Sequence, residues 1–212
     1  MKKGVVVAGL LLLVSAAVLY FFVFNKNKDE KEGNTDEQET AATVISKHSE
    51  AFNQSVENFM NAYYTMIEGF VNWDTAVVRK ESAAFKTALD SFKVEELKPD
   101  SLVYTDATRI WNAVKAETAA IAGDNELSEQ RGSLNIMSQA LYELLNKVQY
   151  DKAKVYYQEC PMAFNDEQAG NWLSPRSAVR NPYLGTSHPK YHSGMLKCGG
   201  TKDSINFISM AK

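Results

Sequence analysis

Apolar residues recur every three or four positions in the first part of the predicted globular region. The repeat begins near Ala41 and ends between Gly69 and Asn72. Such spacing is typical of a helix that buries one face. Because Tyr63 and Tyr64 are adjacent, they cannot both point inward, and we expect one of them to face a groove. The inward positions of this helix are Ile45, Phe52, Val56, Phe59, Met60, Tyr63, Ile67 and Phe70.

The same spacing predicts three further helices, bounded by local signals. Asp74 can cap the second helix, and Asp100 or Ser101 the third, while Gly123 fits the position just past the end of the third. Gly132 weakens the fourth helix by about 1 kcal/mol relative to alanine. Four helices with short connections predict an antiparallel four-helix bundle over residues 42–150. The three further helices cover residues 75–92, 102–122 and about 124–149.

The pattern changes after Asp151. Residues 153–200 contain four of the five prolines, five of the eleven glycines and both cysteines. An irregular segment of this length is typical of a functional loop region, and its many aromatic residues favour a folded one. We therefore expect residues 151–212 to form a loop-rich cap of the same domain, with one or two short strands such as 155–158.

The N-terminus predicts a membrane anchor. Gly4 to Phe24 are 21 consecutive uncharged residues, and at about 1.5 Å per residue they form a helix close to the roughly 30 Å hydrocarbon core of a bilayer. The run is longer than that of a cleaved signal peptide and ends in bulky residues where cleavage would fall. Residues 1–24 are thus expected to be a transmembrane helix, with the short head inside the cell. The large domain would lie in the periplasm, tethered to the inner membrane.

Residues 25–41 contain almost no apolar side chains and predict a disordered tether. The net charge of −3, without a basic stripe, argues against a nucleic-acid partner. His48, near the start of the first helix, is expected to be exposed to solvent.

Two sulfur-bearing segments are the main candidate for chemistry. Cys160 and Met162 lie two residues apart in an extended loop, and Met195 and Cys198 lie three apart. Thiolate and thioether sulfurs select soft ions such as Cu(I) or Ag(I). His188 and His192 precede Met195 and can serve as further ligands. The spacing therefore allows a metal site that is shared between two loops, a disulfide between the two cysteines, or two free buried thiols.

A disulfide between Cys160 and Cys198 is the competing interpretation. It would close a loop of roughly 39 residues and contribute about 4 kcal/mol on the chain-entropy model. In that case Met162 and Met195 only fill gaps in the packing. No carboxylate or amide in the local sequence orients a histidine as a base for a cysteine nucleophile, so the protein is expected not to be an enzyme.

The C-terminal half resembles a bacterial domain-of-unknown-function family (number 3347). The resemblance rests on "VYYQECPMAF", "GNWLS", "VRNPYLG" and "MLKCGG", in this order, and covers about residues 42–200. In that family the domain occurs behind an N-terminal anchor or fused to periplasmic adaptor subunits of copper/silver-type efflux systems. The resemblance implies a helical extracytoplasmic domain associated with heavy-metal handling.

The resemblance also assigns residues. Cys160, Met162, Met195 and Cys198 match its first and last elements, and the middle elements are expected to shape the cap. The segment "TSHPKYHSG" interrupts the family pattern and adds both histidines. Two hypotheses follow. One is a membrane-tethered soft-metal module with an efflux adaptor as a partner, and the other is a structural or adaptor module stapled by a Cys160–Cys198 disulfide. The middle elements of the resemblance, which are expected to shape the cap, contain Trp172, Asn181, Pro182, Tyr183 and Gly185.

Overall fold

The computed structural model of the chain describes residues 46–208. Within this range the protein is mainly α-helical, as predicted. The predicted transmembrane helix at 1–24 and the tether at 25–41 lie outside the described residues. Between residues 46 and 208, every helix is too short or too polar to span a bilayer. The helices are α1 (Glu50–Val71), α2 (Thr75–Asp90), α3 (Ser101–Gly123) and α4 (Leu127–Lys147), with a 3₁₀ turn at Val94–Leu97.

The beginning of α1 differs from the prediction. Residues 46–49 are not helical, and α1 begins at Glu50 because the Ser49 side chain accepts a hydrogen bond from the Phe52 N–H and caps the helix. The prediction of an exposed His48 is wrong. Its ring stacks on Phe52 with 4.3 Å between centroids, and its Nε2 donates to the Val148 carbonyl at 2.7 Å. His48 thus fastens the start of α1 to the end of α4.

The other helix boundaries follow local capping. Asp74 caps α2 and Asp100 caps α3, each by accepting backbone N–H groups of the first turn, as predicted. Gly123 is the last residue of α3 rather than the residue beyond it. The start of α4 at Leu127 is later than predicted, because the Asp124 carboxylate accepts the Glu126 N–H and forms a turn instead.

Each helix packs mainly on the next one along the chain, so that α1 contacts α2, α2 contacts α3 and α3 contacts α4. The core between them is apolar and rich in aromatic side chains from α1. The buried side chains that define it include Phe52, Phe59, Phe70, Phe85, Leu89, Val114, Ile121, Leu134 and Leu141. Burying this many large side chains is the dominant favourable contribution to folding.

The C-terminal segment contains more regular structure than predicted. It forms an antiparallel sheet of β1 (Val155–Phe164), β2 (Gln168–Ser174) and β3 (Gly200–Ile205), in the order β2–β1–β3. Of the one or two short strands expected, the one at 155–158 is the first part of a longer central strand. The sheet contacts the helices mainly through β2 and α4.

Tyr63 joins the helices to the sheet. Its side chain is completely buried, and its hydroxyl accepts a hydrogen bond from the Leu173 N–H at 3.0 Å. Ser138 lies 2.8 Å from the same hydroxyl and donates its own proton to the Leu134 carbonyl, so Tyr63 donates to Ser138. Burial raises the pKa of Tyr63. Its neighbour Tyr64 lines a surface groove, which confirms the prediction for this pair.

Candidate functional site

Strand β1 carries the first of the two cysteines. Cys160 lies opposite Gly170 of β2, and its side chain is completely buried. The prediction of an extended loop for residues 160–162 is wrong, because they belong to β1. The pairing with β2 becomes irregular directly after Cys160. Pro161 follows there, and a proline has no N–H to donate to a neighbouring strand.

The second cysteine is held by its backbone. The Cys198 N–H donates to the Met195 carbonyl at 2.9 Å, and the Cys198 carbonyl accepts from Asn181 Nδ2 at 2.9 Å. Asn181 is itself fixed, since its Oδ1 accepts the N–H groups of Tyr183 and Leu184 at 2.8 and 3.1 Å. A buried amide thus sets the position of the second thiol.

Gly199 brings the second cysteine beside β1. Its φ of +117° is a conformation that residues with a side chain rarely adopt. A Cβ atom at this position would also collide with the Glu159 carbonyl oxygen. The chain can therefore pass this close to β1 only at a glycine, and the residue before it is Cys198.

The two thiols are in contact. Cys160 Sγ and Cys198 Sγ lie 3.3 Å apart, and both cysteines are free. Cys160 is completely buried, whereas Cys198 is half-buried. Burial, followed by the hydrogen bond and the charge of Cys160, raises the pKa of the Cys198 thiol to about 11. Cys198 is thus a protonated thiol at neutral pH and lacks the lowered pKa of a reactive nucleophile.

Both candidate methionines lie near the cysteines along the chain. Met162 is two residues beyond Cys160 on β1, and Met195 forms a turn with Cys198 through the backbone hydrogen bond described above. Each methionine is half-buried and packs against the hydrophobic core. This position suits a thioether ligand, and it equally suits a residue that fills a gap in the packing.

The two histidines share a separate turn. The His192 N–H donates to the His188 carbonyl at 2.7 Å. His188 Nδ1 accepts the N–H groups of Lys190 and Tyr191 at 3.1 and 3.3 Å, and the ring stacks on Tyr191 with 5.0 Å between centroids. Burial first, and then the charge of Arg131, lowers the pKa of His188. One nitrogen of His188 is thus already occupied by its own loop.

Within residues 46–208, no three histidine, cysteine, aspartate or glutamate side chains gather as a metal site. Neither His188 nor His192 therefore completes such a set with the cysteine pair. Glu159, which precedes Cys160, instead pairs with Lys202 and accepts a hydrogen bond from Asn171 at 3.2 Å. What the structure assembles around the cysteines is a pair of sulfurs, with methionines in the same two segments.

The middle elements of the resemblance close the end of α1 and support the sheet. Tyr183 donates its hydroxyl proton to the Asn171 carbonyl at 2.5 Å, and its ring lies over Gly170, where an added Cβ would come within 2.7 Å of it. Gly185 has a φ of +56° and passes so close to the Val71 carbonyl that no Cβ fits. Their role in shaping the cap agrees with the expectation.

Sequence reasoning missed Arg131, the buried cation of this region. Its Nε donates to the Pro182 carbonyl at 3.1 Å, and its Nη2 donates to the Phe70 carbonyl at 3.4 Å. Its guanidinium lies 4.0 Å from the ring centroid of Trp73, whose Nε1 donates to the Leu184 carbonyl at 3.0 Å. Because most of these partners are backbone carbonyls, no side-chain pattern could have identified the site.

Comparisons of the chain with protein-family models, with curated proteins and with solved structures yield no match. The resemblance to the domain-of-unknown-function family stays a prediction.

Proposed function

We propose that this protein is a membrane-tethered periplasmic module that binds one soft metal ion, Cu(I) or Ag(I), between Cys160 and Cys198. The observation that carries the proposal is the 3.3 Å contact between two free thiols that lie 38 residues apart in sequence. In this proposal the helices form an antiparallel bundle behind the N-terminal transmembrane helix of residues 1–24.

Electrostatics supports a cation at this pair. Two thiolates 3.3 Å apart would repel each other by roughly 5 kcal/mol at an effective dielectric constant of about 20. Burial first, then the hydrogen bond with Cys160 and last the charge of Cys160 raise the pKa of Cys198. A soft cation bound by both sulfurs replaces the two protons and turns the repulsion into attraction. Binding therefore releases protons and becomes stronger as the pH rises.

Met162 and Met195 would supply thioether sulfur from the same two segments, and Cys198 would be the entry point because it is the more exposed cysteine. The half-buried Cys198 thiol, the more accessible of the two, also suits transfer of the ion to a partner, for which the resemblance suggests an efflux adaptor. His188 and His192 would be auxiliary ligands at most, since His188 Nδ1 already accepts two backbone N–H groups.

The second candidate function is that of a structural module stabilised by a disulfide between Cys160 and Cys198. Its supporting observation is that the two Sγ atoms already touch while Cys160 is completely buried. Oxidation would join β1 covalently to the segment before β3 and would stabilise the fold by about 4 kcal/mol. The function would then lie in a protein-binding surface of the module.

The test uses the full-length protein in detergent, purified without reductant. Free thiols are counted after unfolding, and Cu(I) is then titrated into the reduced protein against a chromophoric Cu(I) chelator. We expect two free thiols and uptake of one ion, lost in Cys160→Ser and in Cys198→Ser. Met162→Leu and Met195→Leu test the two thioether ligands. Met60→Leu, which replaces a buried methionine of α1, is their matched control.

An absence of Cu(I) uptake by the fully reduced protein would overturn the metal proposal. An absence of free thiols in the purified protein, combined with a loss of stability on reduction, would support the staple.

A further inference from the structure

A groove lies between the C-terminal half of α1 and the segment that follows β2. Tyr64, Ile67 and Glu68 form one wall, and residues 172–180 form the other. Its volume is about 230 Å³. Sites for drug-sized ligands measure roughly 300–1,000 Å³, so this groove is smaller than such a site and has room for a compact organic molecule.

The floor of the groove is apolar and carries an unused donor. Ile67 and Leu173 are buried and line the groove together with Trp172, which is 1% exposed. Within the described part of the chain, the Trp172 indole N–H has no acceptor, whereas Trp73 and Trp111 each donate to a backbone carbonyl.

Tyr64 adds a second donor to the same wall. Its hydroxyl has no hydrogen-bond partner among residues 46–208. Burial first, and then the neighbouring Tyr63, raises the pKa of Tyr64, so its hydroxyl keeps its proton at neutral pH. The groove thus offers a donor from each wall above an apolar floor.

The rim of the groove is basic. Arg180 forms a two-contact ion pair with Glu68, with N–O distances of 2.9 and 2.6 Å. Arg176 lines the same groove and is exposed, and no carboxylate within residues 46–208 pairs with it. Two arginines against one glutamate leave one positive charge uncompensated.

The loop that carries Arg176 is held in place without a ligand. Gln158, which is completely buried, donates from Nε2 to the carbonyls of Arg176 and Ser177 at 3.2 and 3.0 Å. Ser174 Oγ donates to the Arg176 carbonyl at 2.8 Å and accepts the Arg176 N–H at 3.1 Å. The backbone of the basic rim is thus fixed from both sides, which lowers the entropy cost of binding.

We infer that this groove binds a small organic carboxylate with an apolar, aromatic body. The carboxylate pairs with Arg176, and the body lies against the accessible apolar lining at Tyr64, Pro175 and Ala178, which the buried Ile67, Trp172 and Leu173 support from behind. The Trp172 indole N–H and the Tyr64 hydroxyl donate hydrogen bonds to polar substituents of the ligand. The site is separate from the thiol pair and does not depend on metal binding.

The test is ligand-observed NMR with the full-length protein in lipid nanodiscs and with empty nanodiscs as the blank. The probes are 3-phenylpropanoate and its uncharged analogue 3-phenylpropan-1-ol, which share the same body. An ion pair with an exposed arginine is screened by solvent and contributes modestly. We therefore expect the acid to bind about threefold more tightly than the alcohol, and Arg176→Gln to remove this difference.

Arg79→Gln, at an exposed arginine of α2 outside the groove, is the matched control and should leave both affinities unchanged. Tyr64→Phe should keep the preference for the acid, because it removes a donor but no charge. Equal binding of the acid and the alcohol would overturn the inference. So would an unchanged affinity in Arg176→Gln, or an absence of binding by the acid.

Discussion

Arg131 stacks its guanidinium on the ring of Trp73, 4.0 Å from the ring centroid, while its nitrogens bind two backbone carbonyls of distant segments. One carbonyl belongs to Phe70, near the end of α1, and the other to Pro182, in the segment that covers that end. Burial lowers the pKa of Arg131 to about 10. A buried cation held in this way joins α4, α1 and the C-terminal cap.

We predict that Arg131→Ala destabilises the protein by about 2–4 kcal/mol, because it leaves two carbonyls without a donor and removes the stacked cation. Arg131→Lys should recover less than half of the loss, since an ammonium group cannot stack on Trp73 and bind both carbonyls. Urea unfolding of the full-length protein, followed by tryptophan fluorescence, measures both. The exposed Arg79→Ala should change stability by less than about 0.5 kcal/mol. Equal losses at Arg131 and Arg79 would contradict this interpretation.

The thiol pair predicts a specific order of chemical modification. Cys198 should react with iodoacetamide before Cys160, because Cys160 is completely buried. Its rate should rise with pH toward an inflection near 11, above the ordinary thiol value of 9.0, since the thiolate is the reactive form. Mass spectrometry of the reduced protein after timed alkylation measures both features. An inflection near 9, or faster reaction at Cys160, would count against the buried pair.

The same pKa predicts how stability depends on pH. The folded protein keeps a proton on Cys198 that the unfolded chain loses around pH 9. The stabilisation is therefore complete below about pH 9 and is lost as the pH rises toward 11. Cys198→Ser should lack this decline, so the urea midpoints of the reduced wild type and the variant should converge between these pH values. Parallel midpoints across the window would argue against a raised thiol pKa.

Substitutions at the neighbouring residues Gly199 and Gly200 test whether the backbone conformation beside Cys198 requires a glycine. Gly199→Ala should destabilise the protein by more than about 2 kcal/mol, because φ is positive and a Cβ would collide with the Glu159 carbonyl. An added Cβ at Gly200 meets nothing within 4 Å, so Gly200→Ala should be nearly neutral. Unfolding by urea separates the two. If Gly199→Ala folds, its cysteines should also form a disulfide more slowly under mild oxidant than those of Gly200→Ala.

The sequence predicted features that depend on local signals. The helical repeat, the caps at Asp74 and Asp100, and the division of Tyr63 and Tyr64 between core and groove all follow from neighbouring residues. Both the metal and the disulfide interpretation required Cys160 and Cys198 to meet, and the sequence did not decide between them because the geometry depends on where two distant segments meet. The place where the two segments meet is set by the pairing of Cys160 with Gly170 and by the backbone conformation of Gly199. Neither feature produces a periodic pattern in the sequence.

The missed strands have a similar cause. β2 has four consecutive buried residues instead of an alternation, and β3 is mostly polar and exposed. Neither strand shows the alternation of apolar and polar residues, with a period of two, that identifies a half-buried strand in a sequence. They are strands because β1 lies between them, with hydrogen bonds between residues up to about 50 positions apart along the chain. The polar β3 was therefore indistinguishable from a loop.

At Gly132 of α4 we predict a substitution that stabilises the protein. It lies inside a helix, its φ is not positive, and an added Cβ would meet nothing within 4 Å. Gly132→Ala should therefore stabilise the protein by about 0.5–1 kcal/mol, because alanine loses less backbone entropy on forming a helix. Gly69→Ala in α1 is the contrasting variant, since its Cβ would come within 3.1 Å of Val77 and Val78, and it should destabilise. A higher urea midpoint for Gly132→Ala, with unchanged Cu(I) uptake, would show that this glycine serves neither packing nor the thiol site. A lower midpoint would mean that α4 requires a glycine next to Arg131.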